Sequence, residues 1–371
     1  MFLEDFFSHI KNQYTNNLPF VAYRKPNDSR VKAMLQNTDA LYSTQGFEDK
    51  GFVFAPFEDS SQTVLIPLEH SETKCCDFNS LLLNNSSQNQ IKTDETDKRT
   101  HVNLVQKGIE SIGMKHLQKV VLSRCEAIPF SENQFLSAFK KLLQNYPNAF
   151  VYCWYHPKVG LWLGATPETL IHMSGNRFKT MALAGTQSYK DSLEVTWNTK
   201  EKDEQQFVTD YIESCLKPYV NHLSVTEAKT VKAGHILHLQ SNVSGVLNAS
   251  LHTILKKLHP TPAVCGLPVN EAKAFILENE SYNREYYTGF LGELNVMETT
   301  SRNTNRRNVE NNAYHSVKTV TNLFVNLRCM QIKNNQALIY VGGGITKDSI
   351  PEHEWDETVS KAETMKQVLM S

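Results

Sequence analysis

Strand-like runs crowd the chain after residue 118, and they come in neighbouring pairs. They read VVLSRC (120–125), AFVYCWY (149–155), LWLGA (161–165), FKTMALA (178–184), LFVNLRCMQI (323–332) and ALIYVGG (337–343). Each is rich in β-branched or aromatic residues, and several alternate as a half-buried strand does. Helical periods fall between the groups, at 132–145, 204–216, 249–258, 269–279 and 355–369. Consecutive strands can pair antiparallel through a short turn, whereas parallel strands need a crossover each time. The pattern therefore predicts an α+β fold and not the regular alternation of a doubly wound sheet. No GxGxxG follows a strand and no GxxxxGK[ST] occurs, so neither common phosphate cradle is present.

The 371 residues suffice for a large core, as two or three domains or one interleaved unit. A polar stretch at 84–100 separates the first hundred residues, 1–100, from the remainder, 101–371. Two more polar stretches, 187–203 and 298–313, read as surface loops or hinges. Apolar residues make 40% and charged residues 21%, which excludes a disordered chain or a coiled coil. With 38 basic and 39 acidic residues, a broad nucleic-acid surface is not expected. Seven cysteines lie scattered without a CxxC pair, which speaks against a zinc ribbon or a secreted disulfide framework. The N-terminal MFLEDFFSHIK carries acids in its apolar stretch and reads as an amphipathic helix, not a signal peptide. No apolar run approaches ~18 residues, so no membrane span is expected. A cytoplasmic location follows as the expectation.

Two acidic pairs share one grammar. Glu201 and Glu204 lie three apart, and their helical stripe continues into Val208, Tyr211, Ile212 and Cys215. Near the C-terminus, Ser349 to Glu352 reads as a capping box with Pro351 in the first turn. The helix that follows presents Glu354, Glu357 and Lys361 on one face. Acids that extend an apolar stripe need compensation, and a divalent cation would supply it through hard oxygen ligands. An ordinary surface pair, Glu357 with Lys361, is the competing reading.

Other positions carry chemistry only in combination. Lys119 starts a strand, and Glu168 sits in the turn of GATPETL. Arg328 falls inside an apolar run, where a guanidinium needs a buried partner or an anionic ligand. Gly342, Gly343 and Gly344 permit either close backbone approach to an anion or a tight turn. His259 lies in LHPTP, with a structural role as the default.

Together, KVVLSR, GATPETL, ALAGT, HPTPAVCGLP, ENESYNREYYTGFLGEL, NLRCMQI, YVGGGIT and EWDETVSK resemble the chorismate-utilising enzymes. These are the anthranilate synthase component I-like family, and the isochorismate synthase branch is the nearest match. The motifs span 119–361, while the first hundred residues carry none. The resemblance implies one large unit of two antiparallel sheets packed face to face, with helices outside and the active site in a cleft between the sheets. It implies conversion of chorismate to isochorismate, with water attacking C2 as the C4 hydroxyl leaves and Mg²⁺ required.

It also implies roles. Lys119 would be the general base, partly neutral through burial. Glu168 would be the general acid, with a raised pKa. Glu204 and Glu357 would bind Mg²⁺ directly, and Glu201 and Glu354 would orient water around it. Arg328 would hold the enolpyruvyl carboxylate with help from the amides of Gly342, Gly343 and Gly344. Lys361 would add positive charge, Gly185 would bring main chain close to the ring, and His259 would match a wall histidine. Glu293 stands where many relatives carry an aromatic residue, and a carboxylate there is expected to point away from an anionic substrate.

The branch follows from two positions. Ammonia-using relatives resemble QVVxSR at the first motif, where this chain has Lys119. Relatives that pass through a lysine-bound intermediate carry PIKGT, where this chain has Ala184. Both point to water as nucleophile, so no glutamine amidotransferase subunit is expected. Salicylate synthase, which goes on to eliminate pyruvate, is the second reading, and a non-catalytic chorismate-binding protein the third. Family members of this type are often monomers. Menaquinone, siderophore and salicylate synthesis all begin with this product.

Overall fold

The computed structural model describes residues 1–58, 62–78, 95–189, 192–233, 236–301 and 315–369. Among them are two large, all-antiparallel sheets. The first runs, in spatial order, Gly266–Leu267, Lys119–Pro129, Gln336–Ile345, Cys329–Lys333, Gly160–Thr166, Phe150–His156, Phe20–Arg24, Arg30–Gln36 and Ser71–Asp77. The second runs Val220–Val225, Ile236–Leu247, Arg177–Ser188, Thr169–Ser174, His315–Val325, Phe290–Ser301, Gly51–Ala55, Val64–Pro67 and Tyr42–Ser43. Lys229–Ala233 pairs beside Ile236–Leu247. The α+β two-sheet expectation holds. Strands from the first 78 residues enter both sheets, so that stretch is woven into the same core as the rest.

The sheets meet through aromatic rings. Tyr23, Phe150, Tyr152, Trp154 and Trp162 of the first sheet pack against Phe52, Phe54, Leu291 and Phe324 of the second. Removing each such side chain from water stabilises the fold by roughly 1.5–3 kcal/mol. The outer faces are covered by helices. Leu3–Thr15, Phe135–Asn145 and Pro351–Leu369 lie on the first sheet, through Phe6, Phe139 and Met365 among others. Thr199–Leu216 and Leu251–Leu258 cover the second, through Val208, Ile212 and Leu255. No described helix is long and apolar enough to cross a membrane.

Two sequence expectations need correction. LFVNLRCMQI is not one strand. The chain leaves the second sheet at Val325 and enters the first at Cys329, and Arg328 at the crossing has φ +47°. The apolar pattern runs unbroken because both strands are buried, so periodicity does not betray the change of sheet. Ser349 does not form the expected capping box with Glu352. Its Oγ instead accepts the N–H of Thr346 at 3.0 Å, and the helix begins at Pro351.

The polar stretches fare differently. Residues 95–100 begin the helix Glu95–Gly113, and 84–94 lie outside the described residues. Residues 298–301 end a strand, and 302–313 lie outside the described residues. Of 187–203, the two residues 190–191 lie outside them, and the helix begins at Thr199, earlier than its apolar period suggests.

Candidate active site

A cleft of about 730 Å³, its open mouth included, lies between the two sheets. Two neighbouring crossovers between the sheets build part of its wall. One carries Glu168, between strands Gly160–Thr166 and Thr169–Ser174. The other carries Arg328. They are tied by main chain: Val325 N–H donates to Glu168 O at 3.0 Å, and Ala165 N–H to Arg328 O at 3.0 Å. Thr166 Oγ1 donates to Val325 O at 2.6 Å. Side chains at a crossover project into the gap that the diverging sheets leave.

Glu168 is 4% exposed. Burial raises its carboxyl to about 8, although Lys119, Arg328 and Lys361 pull the other way. It therefore keeps its proton at neutral pH. Burial likewise lowers the Arg328 guanidinium to about 10, still charged at neutrality. His238, on strand Ile236–Leu247, joins these groups. Arg328 Nη2 lies 2.9 Å from His238 Nε2, and His238 Nδ1 lies 2.8 Å from Gly185 O. A guanidinium only donates and a carbonyl only accepts, so the imidazole is neutral with its proton on Nδ1. Burial, then Arg328 and Lys361, hold its pKa down at about 3. His238 escaped the sequence reading because it sits in an alternating strand where nothing distinguishes it from a core histidine.

The glycine run pairs with the first strand of the site, Gly342 opposite Ser123 and Gly344 opposite Val121. It is needed for close approach. A methyl on Gly344 would collide with Glu204 Oε1, and one on Gly343 would stand 3.5 Å from Glu354 Oε2 and 3.6 Å from Glu357 Oε1. Three carboxylates from two helices thus reach two consecutive glycines. Each is paired with a lysine: Glu204 with Lys119 at 2.8 Å, Glu354 with Lys200 at 2.5 Å and Glu357 with Lys361 at 2.7 Å. Burial works to raise Glu204, but Lys119 foremost outweighs it, and the net shift is down. Glu354 goes the other way, raised by burial and then by Glu357 beside it. Lys361 also donates to Gly342 O at 3.0 Å.

The chemistry of this donor set fits a divalent cation. The groups are hard oxygens, and Glu354 Oε2 is buried without a hydrogen bond. They are not a finished cage, since among the described residues no three acidic, histidine or cysteine side chains converge on one point.

Five expected site residues, Lys119, Glu201, His259, Glu354 and Glu357, stand outside the cavity lining, the last two being the glutamates that reach Gly343. Lys119 is fully buried and lies behind Glu204 and Gly344 instead of on the wall. Its Nζ is within ion-pair distance of Glu204 but outside hydrogen-bond geometry. Glu201 accepts the N–H of Asn198 at 3.0 Å and closes the capping box of its own helix. Gly185, at φ +71°, packs directly against it. His259 contacts Pro56 O through Nε2 at 3.2 Å and meets Phe290 edge-on, away from the lining residues. Glu293 lies outside the cavity lining, as expected.

Comparison with known proteins identifies the family. The family model for chorismate binding enzymes matches residues 55–300, and a second for the same description matches 313–367. The chain is 28% identical over 286 residues to isochorismate synthase MenF of Pasteurella multocida, covering 73% of this chain and 61% of that protein. It is 32% identical over 268 residues to isochorismate synthase 2, chloroplastic, of Arabidopsis thaliana, covering 68% of this chain and 44% of that one. The matches thus span less than two thirds of either relative. The solved structure of MenF, the menaquinone-specific isochorismate synthase from Escherichia coli, superposes with a TM-score of 0.74. That match covers 95% of this chain and 89% of the other at 21% identity, a likeness of fold.

Proposed function

The chain belongs to the chorismate-binding enzymes, and from that premise we propose that it is an isochorismate synthase, isomerising chorismate with Mg²⁺. The observation that carries this reading is Glu168, a carboxyl that keeps its proton at neutral pH inside a cleft lined by Arg328 and Lys361. A buried neutral acid beside cations is what protonating a leaving hydroxyl requires.

In this account Arg328 grips the enolpyruvyl carboxylate as a planar fork, oriented by its contact with His238. The amides of the glycine run and Lys361 add to the field around the dianion. Lys119 Nζ takes a proton from water, whose oxygen bonds to C2. The ring double bond shifts, the C4–O bond breaks, and Glu168 gives its proton to the departing hydroxyl. One water enters and one leaves, so the net reaction is an isomerisation. The proton gained by Lys119 returns to Glu168 through solvent. Lys119 Nζ must leave Glu204 and face the cavity for this.

Glu204 and Glu357 would hold Mg²⁺, with Glu354 next to them. Bound there, the ion supplies positive charge against the ring carboxylate and relieves the repulsion between Glu354 and Glu357. Glu201 shapes the site indirectly, by fixing the helix start against Gly185, and His259 serves the structure. The product would feed menaquinone or siderophore synthesis.

The test is incubation of purified protein with chorismate, with and without Mg²⁺, and chromatography of the products. Isochorismate only with Mg²⁺ and no free pyruvate is the expected result. Salicylate with stoichiometric pyruvate, or no conversion at all, would overturn the proposal.

A further inference from the structure

The run ENESYNREYYTGFLGEL has no part in the chemistry above, yet it holds the most fully used cation among the described residues around the cleft. Arg284 is 3% exposed, and all five of its N–H donors have acceptors. Nε donates to Glu280 Oε2 at 2.8 Å and Nη2 to Glu280 Oε1 at 2.6 Å, a bidentate pair. The three remaining bonds run to Val121 O at 2.8 Å, Val264 O at 3.0 Å and Thr288 Oγ1 at 3.2 Å. Val121, Val264 and Thr288 all line the cleft, and they come from three separate segments of the chain. Glu280 extends the grip, because its Oε1 accepts both the N–H and the Oγ of Ser123 at 2.8 Å.

Thr288 is where this grip matters most. It is fully buried with φ +59°, a left-handed conformation that a β-branched residue adopts only under constraint. Its N–H is fixed to Asn326 O at 2.9 Å, two residues before Arg328. Val121 in turn lies two residues beyond Lys119 on the same strand. One guanidinium thus connects the segment of the base, the loop after His259 and the turn abutting the Arg328 crossover.

We infer that Arg284, held in orientation by Glu280, is the positioning residue that fixes three segments of the cleft wall relative to one another and so sets the fit to substrate. It touches no reacting atom. The inference rests on the chorismate reading for its functional consequence but not for its structural content.

Arg284→Lys keeps the charge but has three donors for five acceptors. The expected result is a KM for chorismate raised about tenfold or more, because small displacements in a preorganised site are costly. The alkaline limb set by Glu168 should stay where it is. Glu280→Gln keeps one acceptor and the shape, and should raise KM about threefold. Amide hydrogen exchange, read without substrate, should quicken at Val121, Ser123, Val264 and Thr288 together in both variants. If Arg284→Lys does not fold, Glu280→Gln decides. A lower melting temperature with KM and exchange at those four amides unchanged would overturn the inference. A wild-type protein that does not turn over chorismate, while the variants still loosen those amides, would overturn the functional reading and leave the clamp standing.

Discussion

Glu168 and Glu293 are both buried carboxyls at the second sheet, and they titrate in opposite directions. Glu168 accepts no hydrogen bond from a described residue through its side chain, and burial lifts it to about 8. Glu293 is 1% exposed but fully provided for. Tyr23 Oη donates to it at 2.7 Å, Asn322 Nδ2 at 3.0 Å, and Lys25 and Lys32 each at 3.2 Å. Burial works to raise its carboxyl, but Lys32, Lys25 and the two hydrogen bonds win and hold it at about 2. A satisfied buried charge fastens structure, here the Phe20–Arg24 and Arg30–Gln36 strands of one sheet to the Phe290–Ser301 strand of the other. A buried carboxyl without such donors stays protonated instead and can give its proton away. Glu168 is the cleft's case of the second kind.

The contrast breaks most readily at the cleft. Lys119→Ala should abolish turnover and leave chorismate binding largely intact, as measured by equilibrium titration; near-normal kcat would remove Lys119 from the role of base. Glu168→Gln should cut kcat by about a thousandfold, in the range general acids contribute. Its stability should move the other way. The folded pKa lies above the unfolded one of 4.5, so the native state binds the extra proton between them. The stability this group contributes is present below pH 4.5 and lost as pH rises through about 8. The glutamine variant should therefore gain on the wild type in melting temperature as pH rises across that window, and parallel curves would refute the assignment.

A smaller effect is expected at the cation ligands. Glu357→Gln should raise the Mg²⁺ concentration for half-maximal rate by roughly 10–100-fold and weaken chorismate affinity with it. An unchanged Mg²⁺ titration would exclude Glu357 as ligand. The smallest effect on turnover belongs to the satisfied network. Glu293→Gln should leave kcat within about twofold while costing about 2 kcal/mol of stability, because Lys32 loses its carboxylate and Lys25 keeps only Glu298. That loss is present above pH 4.5 and fades as pH falls toward about 2, since the folded pKa is the lower one. A large fall in kcat with stability intact would erase the contrast between the two carboxyls.

The sequence made one side of this contrast legible and not the other. Strand-rich pairs and helical periods were enough for two antiparallel sheets with outer helices, because both signals are local. Motif resemblance brought Glu168, Arg328, Glu204 and the glycine run together, and they do share one cavity. What stayed hidden depends on contacts distant in sequence. Three of the four partners of Glu293, namely Tyr23, Lys25 and Lys32, lie more than 260 residues away. His238 gains meaning only from Arg328, 90 residues on. The change of sheet at Arg328 was masked by two buried strands whose apolar patterns join without a break. Glu201 shares its spacing with Glu204, which suggests an acidic pair at a cation, and the resemblance has it orient water there; the same spacing also makes the capping box with Asn198.

The proposed chemistry turns on Glu168 carrying a proton at neutral pH. Infrared difference spectra of wild type against Glu168→Gln, recorded across pH 5–10, test it directly. The expected result is a protonated carboxyl C=O band in the wild type at pH 7 that disappears with a midpoint near 8. A spectrum with only the ionised carboxylate at pH 7 would contradict it.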